Sequence, residues 1–470
     1  MKTGDFTELN DYFRQKITTP ELFDCGNFNL LKLAQITCQH SIKNSNFSIR
    51  PDWKKPIPFQ KLISFVRHVR NKNKKSDLKS FKKTKYIIYS GGNFVLNESK
   101  QLVSGNAENL INIIGKESTF IFRDYRGNIE NVGQDYNYAD IESQFNVFTY
   151  DNQDKNLLRD LKICANNVSN SGLFNKNEIS IFESQIEIFF RNYLRWKHIL
   201  KVINPIKIFI SQHFRNEGLI AACRNLGIIC VEIQHGLIAE EDFYYVYPES
   251  IKHLNFKSLF ADEILVFGSY WKNILLKGGE YNSNQIKIIG DYQYKPKVSD
   301  LSKAEFKSKY NLEGSEIILI AAQKQLASEY AGYVKQLSAI IQTSHPNWKI
   351  VIKPHPFQVG LEKLKECSNA GIIVLDLHEN LNLVLTLAKI QISIYSTTFY
   401  DAMGFDVVNF ALTDIPKRQD YAEAMVNSGV ALSLKSDQNP ISMYESMDKS
   451  KSILTREQFF APFNEDFAQL

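Results

Sequence analysis

"IVIKPHPFQVG", residues 350–360, is an apolar run that stops at a lysine and at a histidine held between two prolines. Ile350 to Ile352 have the β-branched composition of a buried strand. Each proline sets its own φ near about −65° and biases the residue before it toward extended geometry. Lys353 and His355 are therefore expected on a stiff, non-helical spur at a strand's end, a placement that suits a ligand contact or a rigid turn.

Working outward, the same strand-and-stop pattern recurs. "EIILIAAQ" (316–323), "GIIVLD" (371–376), "KIQISIYS" (389–396) and "DVVNFAL" (406–412) read as strands, with helices at about 328–342, 380–388, 398–404 and 417–428 between them. Toward the N-terminus, "KYIIYSGG" (85–92), "STFIFRD" (118–124), "QFNVFTY" (144–150), "IKIFISQ" (206–212), "GIICVEIQHG" (227–236), "EILVFGS" (263–269) and "IKIIGD" (286–291) form a second series. A long helical pattern covers 176–202 and a shorter one 216–226. Alternation of β-branched strands with helices is the signature of parallel α/β sheets. The lysine-rich stretch 294–315 interrupts it and marks a boundary, so two α/β halves are expected, with a cleft between them.

A chain of 470 residues exceeds one compact core. Its 44% hydrophobic and 23% charged content is ordinary for a soluble globular protein. No apolar run approaches the ~18–20 residues of a spanning helix, and "MKTGDFTELNDYFRQK" has no secretory core segment. Six scattered cysteines, none in a C-x-x-C pair, argue against a disulfide framework or a zinc ribbon and for a reducing, cytoplasmic compartment.

The net charge of +5 is unevenly spread. Residues 54–85 hold twelve lysines and arginines against Asp77, a local +11 that leaves −6 for the rest. Apolar residues at 59, 62, 63, 65, 66 and 69 fit an amphipathic helix. That segment is a candidate for docking on an anionic membrane surface, or a solvated helix packed on its own domain. No base-reading or aromatic motif accompanies the charge, so nucleic acid is not expected as a partner.

In parallel sheets, ligands bind beyond the C-terminal strand ends. The residues there are Gln234, His235 and Gly236; Gln323 and Lys324; Lys353, His355 and Pro356; and Ser396 and Thr397, with Asp401 one turn into the next helix. His355 and the Ser396–Thr397 pair are expected to leave adjacent strands and to share one phosphate pocket. Asp401 is placed to take ribose hydroxyls. Ser396 and Thr397 also read as helix caps. His235, before a glycine, is the natural general base near neutral pH, or a structural histidine. Glu240, Glu241 and Asp242 follow, to orient that histidine, to contact acceptor hydroxyls, or as a plain loop. The other histidines show no metal-binding spacing, and no D-x-D clamp stands at a strand end.

Three motifs carry a resemblance over roughly residues 200–412. "KPHP" (353–356) resembles the His-Pro motif of bacterial sialyltransferases, polysialyltransferases and Kdo transferases, and the K-x-H-P of CDP-glycerol glycerophosphotransferases. "YSTTFYDAMGFDVV" (395–408) resembles their Ser-Ser/Ser-Thr motif, and "VEIQHG" (231–236) the Q-H-G or W-H-G of capsule and teichoic-acid enzymes. The resemblance implies an α/β chain of GT-B type. Two Rossmann-like domains (85–295 and 312–440) would face each other, with a helical, basic extension (1–84) and a C-terminal helix (441–470) crossing back.

It further implies a glycosyltransferase of bacterial surface polysaccharide assembly. The favoured donor is a CMP-activated nonulosonate or Kdo-type sugar, and the acceptor an oligosaccharide or lipid-linked glycan. Donor binding falls to His355, Ser396 and Thr397, joined by Lys353, Pro356, Asp401, Gln323 and Lys324. His235 is the base, with Gln234, Gly236, Glu241 and Asp242 on the acceptor side. No cofactor or metal is implied. Glu241–Asp242 precedes phenylalanine where sialyltransferases have glycine, a departure from their acidic motif. CDP-glycerol-type polyol-phosphate transfer, UDP-sugar transfer and a catalytically silent nucleotide- or glycan-binding partner are the alternatives. An epimerase of the same architecture would need several carboxylates in the first half, and the sequence presents no compelling set.

Overall fold

The computed structural model describes residues 3–42, 83–90, 94–96, 102–104, 118–122, 137–140, 150–234, 238, 242–245, 247, 259–290, 299–356, 358–377, 379–396, 398–405, 407–416, 419–447 and 458–464. Most of the basic segment 54–85 and of the expected strand 144–150 lies outside them. The chain divides into two compact units: Gly4–Gln293 with Phe463–Leu470, and Met1–Thr3 with Tyr294–Pro462.

In the first unit a two-residue pair, β1 (Asp24–Cys25) and β2 (Phe28–Asn29), forms a small hairpin, and β4 (Phe94–Leu96) pairs with β5 (Leu102–Ser104). The main sheet contains β3 (Tyr86–Ser90), β6 (Ser118–Phe122), β7 (Asn137–Asp140), β8 (Lys207–Ile210), β9 (Ile229–Ile233), β10 (Glu263–Val266) and β11 (Ile286–Ile288). Its order is β11-β10-β9-β8-β3-β6-β7, and every described pairing is parallel. Counted along the chain this is 3-2-1-4-5-6 extended by one strand, the Rossmann order. Tyr86 to Tyr89 are all buried, as expected where helices cover both faces of a sheet.

The helix Lys176–Ile203 begins at a capping box, in which the Asn175 side chain accepts from the Asn177 and Glu178 N–H groups while Glu178 reaches back. It ends at Asn204 in the left-handed region, φ 53°. It packs against the helix Glu217–Leu226, and its buried residues include Phe182, which meets Phe23, and Trp196, which meets Tyr89. The two helices approach so closely at Gly218 that a Cβ there would lie 2.6 Å from the Phe189 carbonyl oxygen. The sequence had not singled out the helix Asn152–Asn170. Buried Lys197 pins it by donating to Asp151 (2.8 Å) and Asp154 (2.6 Å).

Residues 1–84 are expected to form an extension, but the described part belongs to the core of this unit. The helix Leu31–Ile42 is buried from Leu31 through Gln39, and Lys32 and Gln35 donate to the carbonyls of Tyr244 (2.6 Å) and Phe243 (3.0 Å).

The second unit contains β12 (Glu316–Ala321), β13 (Trp348–Lys353), β14 (Ile373–Val374), β15 (Ala388–Ser393), β16 (Val408–Leu412) and β17 (Leu432–Leu434). All are parallel, in the order β14-β13-β12-β15-β16-β17, which is 3-2-1-4-5-6. β12 is buried from Ile317 to Ala321. A helix, Asp300–Lys309, lies within the lysine-rich stretch read as a boundary.

The continuous helix expected over 441–470 is not formed. Asn439 caps a helix with Pro440 in its first turn, and that helix ends at Ser446. Residues 461–464 are irregular, as Pro462 requires. There the Asn464 N–H donates to the Ile289 carbonyl at 2.8 Å, continuing the first unit.

Candidate functional site

In the second unit the strand order reverses between β12 and β15, and in open α/β sheets that switch point is where a crevice opens beyond the strand ends. β13 and β15, the strands that deliver His355 and Ser396, are not adjacent as expected; β12 runs between them. Two strand spacings put those exits about 10 Å apart, with Gln323 and Lys324 in the middle. The central strand wins that position because its residues Ile317–Ala321 bury both faces.

Three exits are tied to one another. Past the last rung, the Ala322 N–H donates to the Lys353 carbonyl (3.1 Å) and the Ser393 hydroxyl to the Ala321 carbonyl (2.8 Å). Gln358 closes the proline-flanked loop. Its Oε1 accepts from the His355 N–H (3.0 Å), and its Nε2 donates to the carbonyls of Gln323 and Lys324 (both 3.1 Å). Tyr330, fully buried in the helix Ala327–Ser344, donates to Gln323 Oε1 at 2.8 Å and accepts from the Ile394 N–H at 3.0 Å. With Oε1 engaged there, the Gln323 amide has its Nε2 donor left for a ligand. Gln358 and Tyr330 were missed by sequence reasoning. Gln358 lay inside the quoted stretch, whereas Tyr330 sits in an ordinary helical pattern.

His355 is half-buried, and its imidazole is held below its usual pKa, first by burial and then by the Lys324 and Lys353 ammoniums. Lys353 itself is turned inward. It is 7% exposed, and its ammonium donates to the carbonyls of Pro354 (2.9 Å) and Leu377 (2.8 Å), clamping the β13 exit to the loop after β14. Lys324 and Pro356 are exposed. Ser396 realises the capping alternative: its Oγ accepts from the Thr398 N–H (3.2 Å) and hydroxyl (2.8 Å), leaving its own O–H to donate. Asp401 stands in the first turn of the helix Thr398–Met403, and Thr397 lies outside the described residues.

In the first unit His235, Gly236 and Glu241 lie outside the described residues. Gln234 is buried, and its Oε1 accepts from the Phe267 N–H at 2.9 Å, joining the ends of β9 and β10. Asp242 is buried as well. Its Oδ1 accepts from the Tyr244 N–H at 3.0 Å, and burial pushes its carboxyl up to about 7. Both acceptor-side candidates thus make bonds within the protein.

A closed polar network holds the chain after Asp242. His213 Nδ1 meets Glu232 Oε2 at 2.6 Å, and its Nε2 meets the Tyr244 carbonyl at 3.0 Å. Tyr245 donates to Glu232 Oε1 at 2.5 Å, and the Lys32 ammonium sits 3.8 Å from the Phe260 ring centre. Burial lowers the Lys32 pKa to about 8 and depresses His213 against the pull of Glu232. Sequence reasoning assigned His213 no role. The signal was Glu232, a carboxylate inside the apolar strand "ICVEI".

Among the described residues, no group of three His, Cys, Asp or Glu is placed to hold a metal ion, and no helix is long and apolar enough to cross a membrane.

No protein-family model matches the chain, and no curated protein matches its sequence. Solved structures do resemble it. The UDP-GlcNAc 2-epimerase from Neisseria meningitidis, bound to UDP-GlcNAc, is 14% identical over 79% of this chain and 94% of its own, with a TM-score of 0.49. A glycosyltransferase from Rickettsia africae is 13% identical over 82% and 96%, with a TM-score of 0.45. The alpha,alpha-trehalose 6-phosphate synthase from Burkholderia multivorans is 10% identical over 80% and 92%, with a TM-score of 0.43. Such distant likenesses carry no statement about ligand or reaction. The strand orders define the class: an α/β chain of two Rossmann-like units, the composition of the GT-B type.

Proposed function

We propose that the chain is a glycosyltransferase that binds a nucleotide-activated sugar at the β12, β13 and β15 exits and transfers the sugar to a glycan hydroxyl. One observation carries this reading: at the switch point of a 3-2-1-4-5-6 sheet, a half-buried imidazole lies in the field of two ammonium groups. An anion arriving there meets positive potential and several donors. They are the His355 ring, the Lys324 ammonium, the Gln323 amide and the Ser396 hydroxyl.

As the anomeric carbon gains oxocarbenium character, the departing phosphate collects negative charge, and these groups stabilise it. Lys353 contributes field rather than a contact, since its ammonium holds two carbonyls. With Lys324 as the one outward lysine of the strand-exit candidates, the site suits a single leaving phosphate. This favours a CMP-activated nonulosonate or Kdo-type donor over a UDP-sugar, whose leaving group is a diphosphate; CDP-glycerol, which also departs as CMP, stays the alternative. Asp401 takes ribose hydroxyls, and His235 removes the acceptor proton. Transfer then needs no metal. The acceptor is an oligosaccharide or lipid-linked glycan of a bacterial surface polysaccharide, met at the cytoplasmic membrane face through residues 54–85.

Among the described residues of the first half, Glu217, Glu232 and Asp242 are buried with partners inside the protein. The test is a thermal-shift titration with CMP, CDP, UDP and GDP. A ligand at a hundredfold excess over its Kd stabilises by roughly 2.7 kcal/mol. CMP is expected to give the largest shift and to lose it in His355→Ala. A larger shift with UDP or GDP overturns the cytidine reading, and no shift with any nucleotide overturns the transferase.

A further inference from the structure

A cavity of about 290 Å³ opens in the first unit between the β1–β2 hairpin, the helix Asn152–Asn170 and the end of the helix Glu217–Leu226. Arg224 and Asn225 line it just before β9 begins at Ile229, so it lies toward the starts of the strands, at the opposite end of the sheet from Gln234. Its size is close to the lower end of small-molecule sites, roughly 300 Å³.

Four amide side chains line it: Asn27, Gln153, Asn156 and Asn225. Each presents both donors and an acceptor, the pairing a sugar hydroxyl uses. Among the described residues, the amides of Asn27, Gln153 and Asn156 make no hydrogen bond, while Asn225 is oriented by its bond to the Tyr193 hydroxyl. Phe28 and Leu157, both buried, are the apolar residues beneath these amides. The charges are one carboxylate, Asp160, and one guanidinium. Arg224 is already engaged, donating to the Phe260 carbonyl at 2.9 Å. An anion therefore has no uncommitted cation to meet there.

Gly26 shapes the opening. Its φ is +56°, and a Cβ there would lie 2.9 Å from Asp160 Oδ2. The positive φ favours glycine, and an added Cβ would require the Asp160 side chain to swing away.

We propose that this cavity is a saccharide-binding site, taking one or two neutral sugar rings through amide–hydroxyl hydrogen bonds. Its ligand would be a unit of a glycan chain, bound by residues of the first unit alone. The inference goes beyond the transfer reading, because binding here needs no nucleotide.

Maltotriose and the trimer of N-acetylglucosamine are titrated into the full chain by calorimetry and saturation-transfer NMR, without nucleotide. At least one is expected to bind, and Asn156→Leu is expected to weaken it by about tenfold or more. Gln153→Ala, on the same exposed helix face, is expected to weaken it too and gives a second variant if the first fails to fold. His355→Ala is expected to leave saccharide affinity unchanged, so loss of the nucleotide reading and loss of this one are separable. Failure of both probes to bind at about 10 mM overturns the proposal, as does undiminished binding in folded pocket variants.

Discussion

The hydroxyl of Tyr330 donates to Gln323 Oε1 at 2.8 Å and stands 2.9 Å from the Ser393 Oγ, joining the ends of two strands whose sequence positions lie some seventy residues apart. One buried side chain thereby sets both the spacing of the switch point and the orientation of an amide at its mouth. Tyr330→Phe is expected to cost about 1–2 kcal/mol, since it leaves the buried Ile394 N–H unpaired and removes the shorter of the two bonds to Gln323 Oε1. Urea unfolding measures the loss, and nucleotide affinity should fall with it. An unchanged midpoint and affinity would show that the tie is dispensable.

Lys353 and Lys324 should respond in opposite ways. Lys353→Met abandons two carbonyls inside the protein and is expected to destabilise by about 2–4 kcal/mol. Lys324→Ala touches an exposed side chain and should leave the melting temperature alone while weakening nucleotide binding several-fold. If the two variants exchange these phenotypes, the inward clamp and the outward cation have been assigned the wrong way round.

The His355 imidazole is depressed below 6.5 in the free protein, so the unfolded chain takes its proton first and stability rises with pH through the window below 6.5. A bound phosphate favours the imidazolium and reverses the preference. Affinity for a phosphodiester nucleotide sugar is therefore expected to rise as pH falls through that window, by up to about tenfold per unit. His355→Gln should flatten the slope. Calorimetric titration between pH 5.5 and pH 8, about the range where histidine changes charge, checks this.

Asp242 carries the opposite sign. Its folded carboxyl titrates at about 7 against 3.8 for the ordinary group, so the folded state holds the proton longer. Stability contributed by this residue is lost as pH rises from about 4 to about 7, on the order of a few kcal/mol. Asp242→Asn is expected to remove that decline in denaturation midpoints. A midpoint profile identical to the parent's would mean that the buried carboxyl is not the source.

The basic segment has its own measurement. Sedimentation with vesicles containing anionic lipid should recover the full chain, and neutralising the lysines and arginines of 54–85 should release it, at about 1 kcal/mol for each cation near the surface. Equal sedimentation of both proteins would leave the segment without its membrane role.

The two Rossmann series were legible because parallel strands buried on both faces read as unbroken β-branched runs, as "IILIA" and "YIIY" do. Strand ends were legible for the same reason, since polar residues resume where cover stops. β7 escaped notice because "NYAD" has neither the length nor the β-branched content of its neighbours. The burial of the helix Leu31–Ile42 escaped because Lys32, Gln35 and Gln39 look like a solvated face until Phe243 and Tyr244 supply their partners.

Local composition alone thus determined most strands of the two series and the residues that stand at their ends. Only the tertiary structure decided that β12 separates the His355 and Ser396 exits, that Lys353 turns inward, and that Glu232 meets His213. The physical reason is range. Strand and helix character depends on neighbours a few residues away, whereas strand order and the partner of a buried charge depend on groups brought together across the whole chain, at the cost of closing long loops.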